Sequence, residues 1–224
     1  MHILNTLEEV ILLMKKFLLS LAVLLIVSSN ALALSDSDYK EMMKDSDFAE
    51  AEKELAQSWN EAKKLPAKFF EHLQNEQREW VSHGRDKRAE ALMKADKSLS
   101  RTQAYAQETG SRVEAINSAI DAANLTPDKL SDGFFICDDG GKYTELSITL
   151  EGATLTATFN GKDGNTLWKA DGKILGNVLM LSGEKGTAEV TFWNMSYPIV
   201  AGDKSLKDSG VNVDGKYHER VTAF

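Results

Sequence analysis

Two periodicities divide this chain. From Ser35 to about Asn124, apolar residues recur at spacings of three and four, the signature of amphipathic helix. Phe48, Ala51, Leu55, Trp59 and Ala62 form one such stripe. Asp36 or Ser37 is placed to cap a short first helix, and Ser46 or Asp47 a second. Pro66 suits the first turn of the next helix, where its missing donor costs nothing. Phe69, Leu73, Trp80 and Val81 carry that stripe on toward Ala91 and Leu92, and Gly84 marks a break or kink within it. A last helix starts near Ser100, with Tyr105, Thr109, Val113, Ile116, Ala119 and Ile120 on its apolar side. Three or four helices with short links predict an antiparallel bundle anchored by Trp59 and Trp80.

Past Asn124-Leu125-Thr126-Pro127 the period becomes two. Leu146, Ile148 and Leu150 alternate with Glu145, Ser147, Thr149 and Glu151, and Ala153, Leu155, Ala157 and Phe159 alternate with threonines. Glu151-Gly152 reads as the two-residue turn joining the two strands. Glycines at 161, 164, 176, 183 and 186 punctuate further strands, about seven or eight between Gly133 and Val221. Such short connections allow only antiparallel pairing, so a small antiparallel β-barrel or sandwich follows, and the fold class is α+β. The expected division is a helical domain over 34–126 and a β domain over 127–224, the latter long enough for its own core. Trp168 and Trp193 fall on strands and read as core, as does Cys137 within Phe134-Phe135-Ile136-Cys137.

The first 33 residues follow a different logic. Met14-Lys15-Lys16, an apolar run from Phe17 to Val27 and the box Ala31-Leu32-Ala33 make a secretory signal peptide cleaved after Ala33. Met14 is the more conventional start, so residues 1–13 read as a start-site misassignment. The run is short for a membrane span, and no membrane anchor is expected after cleavage. The segment holds Glu8, Glu9, Lys15 and Lys16, so its loss leaves the net charge at −8. The expected product is soluble, acidic and exported, periplasmic or secreted from a bacterium. That charge argues against nucleic acid as a partner.

Catalytic chemistry is hard to assemble from what remains. There is no G-x-S-x-G, Walker loop or H-E-x-x-H, and one cysteine excludes an internal disulfide or a cysteine zinc site. His72 and His83 lie about 16 Å apart along a helix, too far to share a metal, and read as solvated surface residues. Asp138-Asp139-Gly140-Gly141 lacks the rest of a calcium loop and reads as a β-turn. The expectation is a protein that is not an enzyme and uses no cofactor and no metal.

Gln77-Arg78-Glu79-Trp80, followed by Arg85-Asp86 and later by Thr109-Gly110-Ser111-Arg112-Val113-Glu114-Ala115-Ile116, resembles the core motif of the lysozyme inhibitor LprI-like N-terminal domain family. The resemblance covers residues 37 to about 120 and implies a secreted helical domain. Here the gap between Trp80 and Arg85 is one residue longer than in that pattern, and Gly84 can absorb it in a bulge. The family's stapling cysteines are absent, so packing alone must hold these helices. Trp80 would fill the bundle, and Arg85 and Arg112 would bond carboxylates or helix-end carbonyls, making the motif a signature of fold.

Further on, Phe135-Ile136-Cys137-Asp138-Asp139-Gly140 is similar to the opening strand of the membrane-bound c-type lysozyme inhibitor family, an eight-stranded antiparallel barrel. That family's S-G-x-x-Y loop is not reproduced, since Ser182-Gly183 is followed by Glu184-Lys185-Gly186. Together the resemblances imply a lysozyme as partner, blocked by occlusion of its cleft. The candidate partner loops run from Asp138 to Lys142, Gly161 to Asn165 and Ser182 to Gly186, and carry Asp138, Asp139, Lys142, Lys162, Asp163, Glu184 and Lys185. The rival reading is a non-enzymatic envelope module, structural or ligand-binding, with Trp168, Trp193 and Tyr197 lining a barrel mouth.

Overall fold

The computed structural model describes residues 34–139 and 142–220; residues 1–33, on which the expected signal peptide falls, Gly140, Gly141 and residues 221–224 lie outside it. The helices are α1 (Asp36–Met42), α2 (Ser46–Ala62), α3 (Ala67–Glu79), α4 (Arg85–Ala95), α5 (Arg101–Ala123) and the short α6 (Pro127–Leu130) and α7 (Lys204–Asp208). The strands are β1 (Gly133–Asp139), β2 (Lys142–Glu151), β3 (Thr154–Gly161), β4 (Thr166–Leu175), β5 (Val178–Gly183), β6 (Gly186–Thr191), β7 (Ile199–Gly202), β8 (Gly215–Lys216) and β9 (His218–Glu219).

The caps sit one residue earlier than the sequence suggested. Ser35 Oγ accepts the Asp38 amide at the start of α1, and Asp45 Oδ1 accepts the amides of Asp47 and Phe48 at the start of α2. Ser100 and Gln103 form a reciprocal capping box before α5, with bonds of 2.9 and 3.2 Å. Gly84 does not break its helix. Residues Trp80–Gly84 form a π-helical turn that joins α3 to α4, and the Arg85 amide donates to the Trp80 carbonyl. A π turn holds one residue more than an α turn. It therefore returns Arg85 to the face of Trp80, where a plain α-helix would set them about 140° apart.

Strands β1 to β7 pair in sequence order, every pair antiparallel. The β2–β3 register matches Leu146 with Phe159, Ile148 with Ala157 and Leu150 with Leu155. Glu151 pairs with Thr154, so the turn is Gly152-Ala153, shifted by one residue from the expected Glu151-Gly152. Gly152 takes a φ of 65°, which the first central residue of this hairpin needs.

The sheet is a nearly closed barrel, not a sandwich. One C-terminal stretch serves both edges: Gly215 and Lys216 pair with β7, while His218 and Glu219 pair with β1. The Tyr217 and Glu219 amides donate to the Pro198 and Ser196 carbonyls, and the Arg220 amide donates to Phe134. Closure leaves few unpaired edge groups open to another chain. Inside, Leu146, Ile148, Phe159, Leu179, Leu181, Val190, Phe192 and Tyr217 are fully buried. Phe159 stacks on Trp168 at 5.6 Å and meets Tyr217 edge-on at 6.3 Å.

The chain separates into two compact units, and they do not follow the expected division at residue 126. One comprises residues up to Glu52 with Gln74–Thr109; the other comprises Lys53–Leu73 and everything from Gly110. The first has a core of Met42, Phe48, Ala89, Ala104 and Tyr105. The second has one continuous core in which Ala62, Phe69, Leu73, Ile116, Ala119 and Ala122 join the barrel residues. Within this unit Trp193 packs on Phe69 at 5.3 Å and on His72 at 4.4 Å, and the Met195 amide donates to Ser118 Oγ. His72 is thus half-buried against an indole, in contrast to the solvated residue expected; His83 is exposed.

Candidate functional site

The family-like motif builds a polar cluster inside the first unit. Arg85 pairs with Glu52 and donates to Thr109 Oγ1 at 2.9 Å. The Tyr39 hydroxyl donates to the other oxygen of Glu52 at 3.0 Å. Trp80 Nε1 donates to Glu108 at 2.7 Å, and Arg88 approaches the same carboxylate at 3.5 Å. Tyr105 donates to Asp86 at 2.6 Å. The Arg85 guanidinium lies 5.1 to 5.7 Å from the ring centroids of Trp80, Phe48 and Tyr105, within cation–π range of each.

Each motif residue has a place. Gln77, Trp80, Asp86 and Thr109 are buried, while Arg78 is exposed and donates to Asn75 Oδ1. Arg112 is buried on the part of α5 that belongs to the second unit. Burial and the neighbouring Glu52 carboxylate push the Tyr39 phenol well above its ordinary range, and burial and Asp86 push Tyr105 up to about 12. Both phenols stay neutral donors. Except for Arg85 Nε, which is buried without a partner among the described residues, the cluster spends its hydrogen bonds internally, which makes it a device for fixing helix register.

Sequence reasoning had named Trp80, Arg85, Asp86 and Thr109 but not their partners Tyr39, Glu52, Arg88, Tyr105 (read only as apolar) or Glu108. One signal was available. Glu52 falls between Phe48 and Leu55 on the stripe of α2, and a charge on an apolar face needs a buried partner.

In the second unit, antiparallel order puts the β1–β2, β3–β4 and β5–β6 tips at one end of the barrel, so all three candidate loops share a rim. The segment from Asp203 to Asp214, including α7, closes that end and was not foreseen. Leu206 and Val213 are fully buried within the barrel core, and Val211 nearly so. Asp203 accepts the Leu206 amide at 2.7 Å and the Thr187 hydroxyl at 3.0 Å. Asp214 accepts the Gly202 amide at 2.6 Å and pairs with Lys207 at 2.7 Å. Lys142 reaches across from β2 to the Asp214 carbonyl and Asn212.

The rim charges fall into two groups. Lys142, Lys204, Lys207 and Lys185 are held by internal acceptors, Lys185 by the Leu167 carbonyl at 3.1 Å. Asp163 is occupied by its own turn, accepting the Asn165 amide and side chain. Among the described residues, Asp138, Asp139 and Glu184 are exposed with no cation paired to them, and Lys162 is the one rim-loop lysine without an acceptor. A lysine bound to a neutral carbonyl keeps its charge, so the formal count decides: the three loops and the segment 203–214 carry seven carboxylates and five lysines, a modest acidic excess.

The rival aromatic set does not converge. Trp168 is buried against Phe159, Trp193 lies at the opposite end of the barrel, and Tyr197 is 63% exposed. Cys137 is buried as expected, and burial raises its thiol pKa. A cleft of about 290 Å³, lined by Asp121, Lys129, Asp132, Phe135, Met195 and Glu219, opens at the end away from the tips.

The cap should loosen in acid. The Leu206 and Thr187 donors hold the Asp203 carboxyl below its usual range. Burial alone would raise Asp214, but Lys207 and the Gly202 amide outweigh it and the net shift is downward. A depressed folded pKa contributes stability that is complete above the unfolded value of about 3.9 and lost as pH falls through the folded value. Protection of the Gly202 and Leu206 amides against hydrogen exchange should therefore fall below about pH 3.9 before that of the barrel core. The double variant D203N/D214N should show no such step.

Comparison with protein-family models, with curated proteins and with solved structures returned no match for this chain.

Proposed function

We propose that the protein is an exported, non-enzymatic binding protein of the lysozyme-inhibitor type, which occludes the cleft of a cationic lysozyme with the rim of its barrel. The observation that carries this reading is the charge pattern of the rim. The three loops and the segment 203–214 hold seven carboxylates against five lysines, and among the described residues Asp138, Asp139 and Glu184 are exposed with no cation paired to them. Such a surface attracts a basic protein over long range and raises the association rate at low salt. The filled barrel interior favours contact through the surface over capture of a ligand inside. The LprI-like motif and the inhibitor-like opening strand agree with this reading, as does the signal segment.

The test is lysis of peptidoglycan by c-type and g-type lysozymes, with and without purified residues 34–224. Inhibition at near-stoichiometric ratios that weakens as salt rises is the expected result. Full lysis by every lysozyme in the presence of a large excess of folded protein would reject the proposal.

A further inference from the structure

Of the rim turns, that between β5 and β6 is gripped on both legs. Gly183 and Gly186 pair with each other across a two-residue tip, Glu184-Lys185. A Cβ on Gly183 would come within 2.7 Å of Trp168 Nε1, and one on Gly186 within 2.6 Å of the Leu206 nitrogen and 2.7 Å of Asp203 Oδ1. One leg is thus pressed against the barrel's indole, the other against the cap. Lys185 then ties the tip to the Leu167 carbonyl of β4. Trp168 Nε1, buried against Gly183, has no hydrogen-bond partner, which is costly in a packed interior. Tight local packing has been kept here despite an unsatisfied donor.

The product of this clamp is one exposed carboxylate, Glu184, on a tip that has little freedom left to lose. We infer that Glu184 is the specificity-determining anchor of the rim, the group that accepts hydrogen bonds from a guanidinium or ammonium in the partner's cleft. The inference rests on the binding reading above. Asp163 is less suited to the role, because each of its oxygens already accepts a bond within its own turn. With the turn backbone already fixed, only the Glu184 side chain is left to order on binding, so its contribution appears as a slower dissociation rate.

The experiment compares E184Q with D163N, two variants that remove the same charge from the same rim, by binding kinetics to a cationic lysozyme at low salt. E184Q is expected to weaken binding about tenfold or more, mainly by faster dissociation, while D163N changes the association rate by no more than about threefold. Thermal unfolding of E184Q should match the parent, since Glu184 is exposed and has no partner among the described residues. Equal losses in the two variants, or no loss in E184Q, would overturn the anchor and leave a diffuse electrostatic surface. Absence of binding by the parent protein would overturn the binding reading itself, and the anchor with it.

Discussion

Replacing Arg85 by methionine is expected to lower the free energy of unfolding by about 3–5 kcal/mol. The side chains of Arg85 and Glu52 are 13% and 10% exposed, so removing the cation leaves a carboxylate with little access to water. Tyr39 and Thr109 can still donate to it, but neither carries charge. The cation–π contacts to Trp80, Phe48 and Tyr105 vanish as well. Denaturant titration should show a shifted midpoint at unchanged slope. The double variant E52Q/R85M should recover much of the loss, because no buried charge then remains unpaired. A single-variant loss below about 1 kcal/mol would mean that water reaches Glu52 and that the pair behaves as a surface pair.

The second large effect concerns the barrel alone. A fragment of residues 127–224 is expected not to reach a unique fold, although it contains every strand. In the intact chain Phe69, Leu73, Ile116, Ala119 and Ala122 belong to the same buried cluster as Leu146, Ile148 and Phe192. Cutting at 126 removes the helical part of that shared core, strips Trp193 of Phe69 and His72, and leaves the Met195 amide without Ser118. Each large apolar side chain that loses its cover forfeits about 1.5–3 kcal/mol, and a few of them equal the stability of a whole domain. The fragment should bind a hydrophobic dye and give poorly dispersed amide spectra. Adding back residues 34–126 in trans should restore dispersion if the shared core is the cause. A cooperative thermal transition in the isolated fragment would show that the strands suffice.

Much of the architecture was readable because periodicity reports burial. The stripe from Phe48 to Ala62 is buried or half-buried along its length, and the strand alternation gave the correct inward residues at Leu146, Ile148, Leu155, Ala157 and Phe159. The longer gap between Trp80 and Arg85 pointed to a bulge, and a π turn is there. Caps and turns were misplaced by a single residue, as at Asp45 and at Gly152-Ala153. Several neighbours can satisfy the same orphan amides, and only the final backbone path decides between them.

The sequence by itself determined the α+β class, the antiparallel strands, the inward faces and the short list of rim loops, since each follows from spacing along the chain. Only the tertiary structure decided what those faces touch. Phe48 and Ala62 stand on one stripe of one helix yet belong to different cores, and Tyr105 and Ile116 do the same on α5. The rim charges tell the same story, because Lys142 and Lys185 look as free in sequence as Asp139 and Glu184 do. Their acceptors, the carbonyls of Asp214 and Leu167, are backbone groups brought near by the pairing of the strands and the return of the C-terminal segment. Burial periodicity is a local property of the chain, whereas partnership is set by contacts between distant segments, which no local pattern encodes.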